Sequence, residues 1–132
     1  MIVVDASVIA NAIADDQIDG DVARSRLTGG GDLVAPDLVD VETVSVLRRR
    51  WLVGDLTARR FSTAIEDLED LELTRFPTLP LVRRAYELRA NLTAYDAMYV
   101  ALAEQLDCTL VTADARMARS PGTRCAVDVV ST

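Results

Sequence analysis

Two short runs, Ile2-Val3-Val4 and Thr109-Leu110-Val111-Thr112, are apolar almost throughout, and an aspartate, Asp5 or Asp114, follows each within two residues. Short runs without polar alternation belong to strands covered on both faces, as in a parallel sheet with helices on either side. Leu33–Ala35, Leu71–Phe76 and Cys125–Val130 read as three further strands. Helical patterns fill the gaps, over Val8–Ala14, Asp21–Leu27, Asp37–Leu52, Ala58–Leu71, Leu79–Asn91 and Tyr95–Leu106. Pro36 suits the start of a helix, and Thr57 suits an N-cap. This alternation predicts an α/β fold: a five-stranded, mainly parallel sheet flanked by helices on both faces. The chain of 132 residues suits one domain, 1–132, with Gly29-Gly30-Gly31 as a turn and no linker.

What is missing narrows the chemistry. There is no histidine, and all 14 basic residues are arginine. Histidine general bases, Ser-His-Asp triads, Schiff bases and the lysine of a phosphate-binding loop are therefore excluded. Cys108 and Cys125 stand apart from each other in sequence and from any zinc-ligand spacing, and are expected to be reduced, core-filling thiols. The longest apolar stretch, Ala97–Ala103, falls far short of the roughly 18 residues a membrane span needs. The N-terminus shows no basic, apolar leader, so a cytoplasmic protein without membrane association is the expectation. The net charge of −7 argues against a nucleic-acid partner unless cations sit on the acids and a local arginine patch faces the ligand.

Four acids stand out. Asp5 and Asp114 follow the first and fourth predicted strands, at the carboxyl edge where open α/β sheets bind ligands. Each is also placed to cap a following helix. Asp96 opens a helix that is apolar almost all round, with Tyr99 and Val100 where a basic partner would stand. It also fits a capping box with Thr93. Glu42 lies in the helix Asp37–Leu52 with no basic residue three or four positions away. Its rival Asp40 points about 160° away round the helix, and Leu38, Val41 and Ser45 favour Glu42 as the inward acid over a solvated rim residue.

Four converging carboxylates cannot all ionise alone: two at about 4 Å repel by roughly 4 kcal/mol at an effective dielectric near 20. Oxygen ligands select Mg2+, or Mn2+ in its place. Such an ion acidifies a water and offsets charge on a phosphodiester, which makes metal-assisted phosphodiester hydrolysis the leading reaction class.

Four blocks in order, Ile2-Val3-Val4-Asp5-Ala6-Ser7, Pro36-Asp37-Leu38 leading to Glu42, Tyr95-Asp96-Ala97, and Leu110-Val111-Thr112-Ala113-Asp114, span nearly the whole chain. Together they resemble the PIN-domain ribonucleases and, within them, the VapC-type toxins of bacterial toxin–antitoxin pairs. The resemblance implies a Mg2+- or Mn2+-dependent endoribonuclease using Asp5, Glu42, Asp96 and Asp114. Asp5, Asp96 and Asp114 would hold the metal, Glu42 would orient or deprotonate the attacking water, and Ser7 and Thr112 would hold carboxylates in place. It further implies a VapB-type antitoxin that sets a basic side chain near the acids, an RNA substrate and a homodimer. Two departures, Met117 and Ser45, stand where many relatives carry an acid and an asparagine, and they bear on a second metal.

Arg48-Arg49-Arg50 with Arg59-Arg60, and Arg83-Arg84, are the candidate RNA contacts, the first cluster guiding the backbone. The plainer reading of both is solvated helix faces. Trp51, Leu52 and Phe61 fit either the core or a dimer surface. A receiver domain would need adjacent acids and a lysine, and a haloacid-dehalogenase-type phosphatase an aspartate where Ser7 stands. A PIN-like module that binds RNA or protein without cleaving is the remaining alternative.

Overall fold

The computed structural model describes residues 1–131. β1 (Ile2–Val4) leads into α1 (Ala6–Ala14) and α2 (Ile18–Leu27), and β2 (Leu33–Pro36) into α3 (Val39–Leu52) and α4 (Ala58–Asp70). β3 (Thr74–Phe76) is followed by a 3-10 turn at Leu79–Leu81, α5 (Val82–Glu87) and α6 (Ala94–Leu106). β4 (Thr109–Thr112), α7 (Ala115–Ala118) and β5 (Val127–Val129) complete the order. The strands form one sheet in the order β3-β2-β1-β4-β5, every pair parallel.

The chain walks outward from β1 to β3, then returns to the other side of β1 for β4 and β5. Right-handed crossovers put the helices of these two excursions on opposite faces. α1 packs against β4 while α6 packs against β1, β2 and β4. Val3, Val4, Leu110 and Val111 are fully buried, as strands covered on both faces require. The reversal of direction opens a crevice between the carboxyl ends of β1 and β4, the position at which this sheet type binds ligands.

Local differences from the sequence pattern have local causes. Pro36 ends β2, in register with Phe76, instead of starting a helix. Its ring fixes φ at a value a strand end tolerates, and Asp37 donates its backbone N–H to Phe76 O at 2.7 Å. Leu71–Leu73 lie outside β3, and Leu79–Asn91 breaks into a 3-10 turn, a short α5 and non-helical residues, Pro80 standing inside the first turn. Thr57 caps α4, accepting from Arg60 N at 3.1 Å. Both cysteines are free thiols, half-buried beside the core. Among the described residues no helix is long and apolar enough to cross a membrane.

In α3 the buried residues are Val39, Thr43 and Leu47, spaced one turn apart, whereas Val41 is 75% exposed. Glu42 therefore sits at the flank of the buried stripe, and Val41 is not the neighbour that turns it inward. Leu47→Ala should destabilise the fold by about 2–5 kcal/mol in urea titrations, and Leu52→Ala, at the exposed end of the same helix, by less than about 0.5 kcal/mol.

Candidate active site

Asp5 leaves β1 and caps α1. Its Oδ1 accepts from the backbone N–H groups of Ser7 at 3.0 Å and Val8 at 3.4 Å, and from the Ser7 hydroxyl at 2.5 Å. Its Oδ2 accepts from the Thr112 hydroxyl. Each of these hydroxyls in turn accepts a backbone N–H from the segment after β4: Ala113 N to Ser7 Oγ at 3.1 Å, and Asp114 N to Thr112 Oγ1 at 3.0 Å. One carboxylate thus ties the ends of β1 and β4 together and places the next acid. Asp5 is 6% exposed, and burial raises its pKa above the ordinary value although all these donors favour the anion.

Glu42, on the first turn of α3, is half-buried and reaches the same edge. Its Oε1 accepts the Tyr99 phenol at 2.6 Å. Burial raises its pKa, the phenol pulls it back, and the charges of Asp96 and Asp5 push it up again. The rival Asp40 turns away and is held by Arg75 through two hydrogen bonds of 3.0 and 2.9 Å.

Asp96 stands on the first turn of α6, whose cap Thr93 accepts from Asp96 N at 3.2 Å. Burial first, then repulsion from Asp114, raises its pKa. Asp114 caps α7 and differs from the other three: Arg116 binds both its oxygens, at 3.0 and 2.8 Å, and holds its carboxyl below the ordinary range. Asp5, Glu42, Asp96 and Asp114 thus lie at one sheet edge, linked by mutual repulsion. Among the described residues, Asp5, Glu42 and Asp96 have no ion-pair partner.

Among the described residues no three acids form a ready-made cage for an ion. The donor chemistry nevertheless fits a hard divalent cation: the donors are all carboxylates, burial raises the pKa of three of them, and like charge adds to the rise at Glu42 and Asp96. Arg116 covers the fourth, and such an ion would displace it. Met117 is 2% exposed with its sulfur 3.6 Å from Thr112 Oγ1, so an apolar side chain packs beside the acids there. Ser45 is exposed on α3.

Two contributors to the site are not marked as such by sequence. Tyr99 stands out there only as the absence of a basic partner for Asp96. A phenol buried in an Ala/Val/Leu helix needs an acceptor, however, and that need is itself a signal. Arg116 carries no spacing signal. Its contact with Asp114 depends on the short α7 turn.

The PIN domain family model matches residues 2–122. A VapC ribonuclease of Mycobacterium bovis is 44% identical over 130 residues, 98% of each chain. Among solved structures, VapC20 of Mycobacterium tuberculosis, a sarcin-ricin-loop-cleaving toxin, superposes with a TM-score of 0.70 at 17% identity over 94% of this chain and 97% of that one. VapBC2 of Rickettsia felis, bound to a promoter DNA fragment, gives 0.68 at 16% identity over 99% and 100%. At these identities the two structures share the fold.

Thr112→Val removes a donor to a buried carboxylate and an acceptor for Asp114 N, and should cost about 1–3 kcal/mol in denaturant unfolding. Asp96 keeps its proton to higher pH folded than unfolded, so its contribution to stability falls as pH rises above the ordinary aspartate range. Asp96→Asn removes that loss. Its melting temperature in EDTA should exceed that of the parent protein at about pH 7, and the difference should close as pH falls towards about 4.

Proposed function

The chain belongs to the PIN domain family, and on that premise we propose that it is a metal-dependent endoribonuclease, the VapC-type toxin of a toxin–antitoxin pair. The near full-length similarity to a named VapC ribonuclease supports the activity. The observation that carries the mechanism is the set of three acids, Asp5, Glu42 and Asp96, gathered at one sheet edge with no ion-pair partner among the described residues.

Asp5, Asp96 and Asp114 would hold Mg2+, or Mn2+ in its place. Once bound, the ion acidifies a water and offsets the charge that builds on the phosphodiester. Asp5 is the fixed ligand of the set, because the Ser7 and Thr112 hydroxyls define its plane. It keeps a lone pair on Oδ2 beyond the one that accepts from Thr112. Asp114 would join the set only by giving up its pair with Arg116, whose guanidinium, 83% exposed, would then be available to a phosphate oxygen. Glu42 is the general base: Tyr99 occupies Oε1, and Oε2 takes a proton from the attacking water.

The arginines divide by their partners. Arg60 is locked to Asp16, Arg84 is held by Glu104 and Gly122 O, and Arg50 donates to Asn11. Arg48 and Arg49 are exposed, and Arg49 lies near enough to favour the Glu42 carboxylate. Arg59 and Arg83 are exposed as well; Arg48 and Arg49, which share α3 with Glu42, are the guides for the RNA backbone. Trp51, Leu52 and Val53 are 45, 56 and 71% exposed, and this apolar end of α3 is the surface proposed for the homodimer, while Phe61 packs partly against the core. VapBC2 shares this fold, and the toxin reading calls for a cognate antitoxin. A VapB-type antitoxin carrying an arginine would therefore neutralise the unpartnered acids and compete with the metal.

The partner-free protein, incubated with total RNA, should yield discrete fragments with Mg2+ or Mn2+, and none in EDTA or with Asp96→Asn. Intact RNA from folded protein under every condition would instead favour a PIN-like binding module without catalysis. The double variant Arg48→Gln/Arg49→Gln should bind RNA more weakly. Its plot of log affinity against log salt should be shallower by about 0.7 for each phosphate that the missing guanidinium groups no longer neutralise.

A further inference from the structure

We propose that Tyr99 is the positioning residue of the active site, its phenol aiming Glu42 and joining the two segments that carry Glu42 and Asp96. The inference rests on the nuclease reading above. Tyr99 lies one turn after Asp96 on α6 and is 1% exposed, so its ring is clamped by the core. The hydroxyl has one proton, and that proton goes to Glu42 Oε1 at 2.6 Å. The backbone N–H of Ala6, the residue after Asp5, lies on the same side and favours the phenolate, although burial and Glu42 keep the phenol protonated. One hydroxyl therefore binds the first turn of α3 from a side chain rooted in the first turns of α6.

Geometry makes this more than a packing contact. Glu42 stands at the flank of α3's buried stripe and has three rotatable side-chain torsions, so α3 alone leaves its carboxylate unplaced. Among the described residues, Tyr99 is the hydrogen-bond donor to Glu42. With Oε1 fixed, Oε2 has a defined direction and is left without a hydrogen-bond donor among the described residues. A phenol suits this position because it donates without charge. An arginine in its place would cancel the base and hold it deprotonated too strongly to accept a proton.

The test is steady-state cleavage of a defined RNA by the parent protein and Tyr99→Phe, which keeps the ring. The expected result is a fall of about 10- to 100-fold in kcat with KM within about twofold. The acidic limb of the kcat–pH profile should move to higher pH, since Glu42 would still face Asp96, Asp5 and Arg49 but lack its donor. A second variant reverses the sign. 3-Fluorotyrosine at position 99, with Tyr86→Phe and Tyr95→Phe at the two exposed tyrosines, offers a more acidic donor and should move that limb to lower pH. Opposite shifts support the proposal. A limb that stays put in both variants, or kcat within about twofold of the parent in Tyr99→Phe, overturns it. An inactive parent protein sinks the nuclease reading itself and is told apart by that control.

Discussion

The buried carboxylate of Asp5 organises the molecule around the crevice between β1 and β4. An anion 6% exposed is costly unless donors surround it, and here the donors come from two directions. Ser7 and Val8 supply them from the first turn of α1, and Thr112 from the end of β4. Because Ser7 and Thr112 also accept N–H groups of Ala113 and Asp114, the same bonds that satisfy Asp5 set the path of the chain into α7. A structural need and the arrangement of acids are met by one set of atoms.

Charge on the rest of the chain is arranged to leave that edge exposed to cations. Arginine is the sole basic residue type, and many of the arginines are committed to partners elsewhere: Asp21, Asp128, Asp16, Asp40 and Glu104 each hold one. Around the acids, Arg116 alone among the described residues makes an ion pair, and it does so from a side chain 83% exposed, where the bond is weak and exchangeable. The acids thus retain an unmet demand for positive charge. A divalent ion or a partner's basic side chain would answer it, and the two would compete.

The strands β1 and β4 are legible in the sequence to the residue, because continuous burial leaves no polar alternation to confuse their limits, and each ends where an acid must reach the edge. β3 is not. Leu71 and Leu73 are apolar and pack inward without pairing, and hydrophobicity alone does not separate a buried loop from a strand. The helical pattern over Leu79–Asn91 breaks for a similar reason, since Pro80 and the close packing of α5 on α6 favour a 3-10 turn. In α3 the patterning points to Glu42 as the inward acid, but its inward course has a partly different cause. Val41 is exposed, and what separates Glu42 from Asp40 is that one meets a phenol from α6 and the other an arginine from β3.

Sequence by itself determined the layered fold, the chemistry available to a chain without histidine or lysine, and the acids that local pairing leaves unexplained. Those follow from periodicity, residue inventory and neighbours within one turn, all of which act over short distances along the chain. Tertiary structure decided which groups meet across 57 residues from Glu42 to Tyr99 and 107 from Asp5 to Thr112. Contacts of that kind arise only when the sheet brings its carboxyl edge together, and they depend on the angle at which a buried ring or hydroxyl arrives. No spacing in the chain encodes that angle.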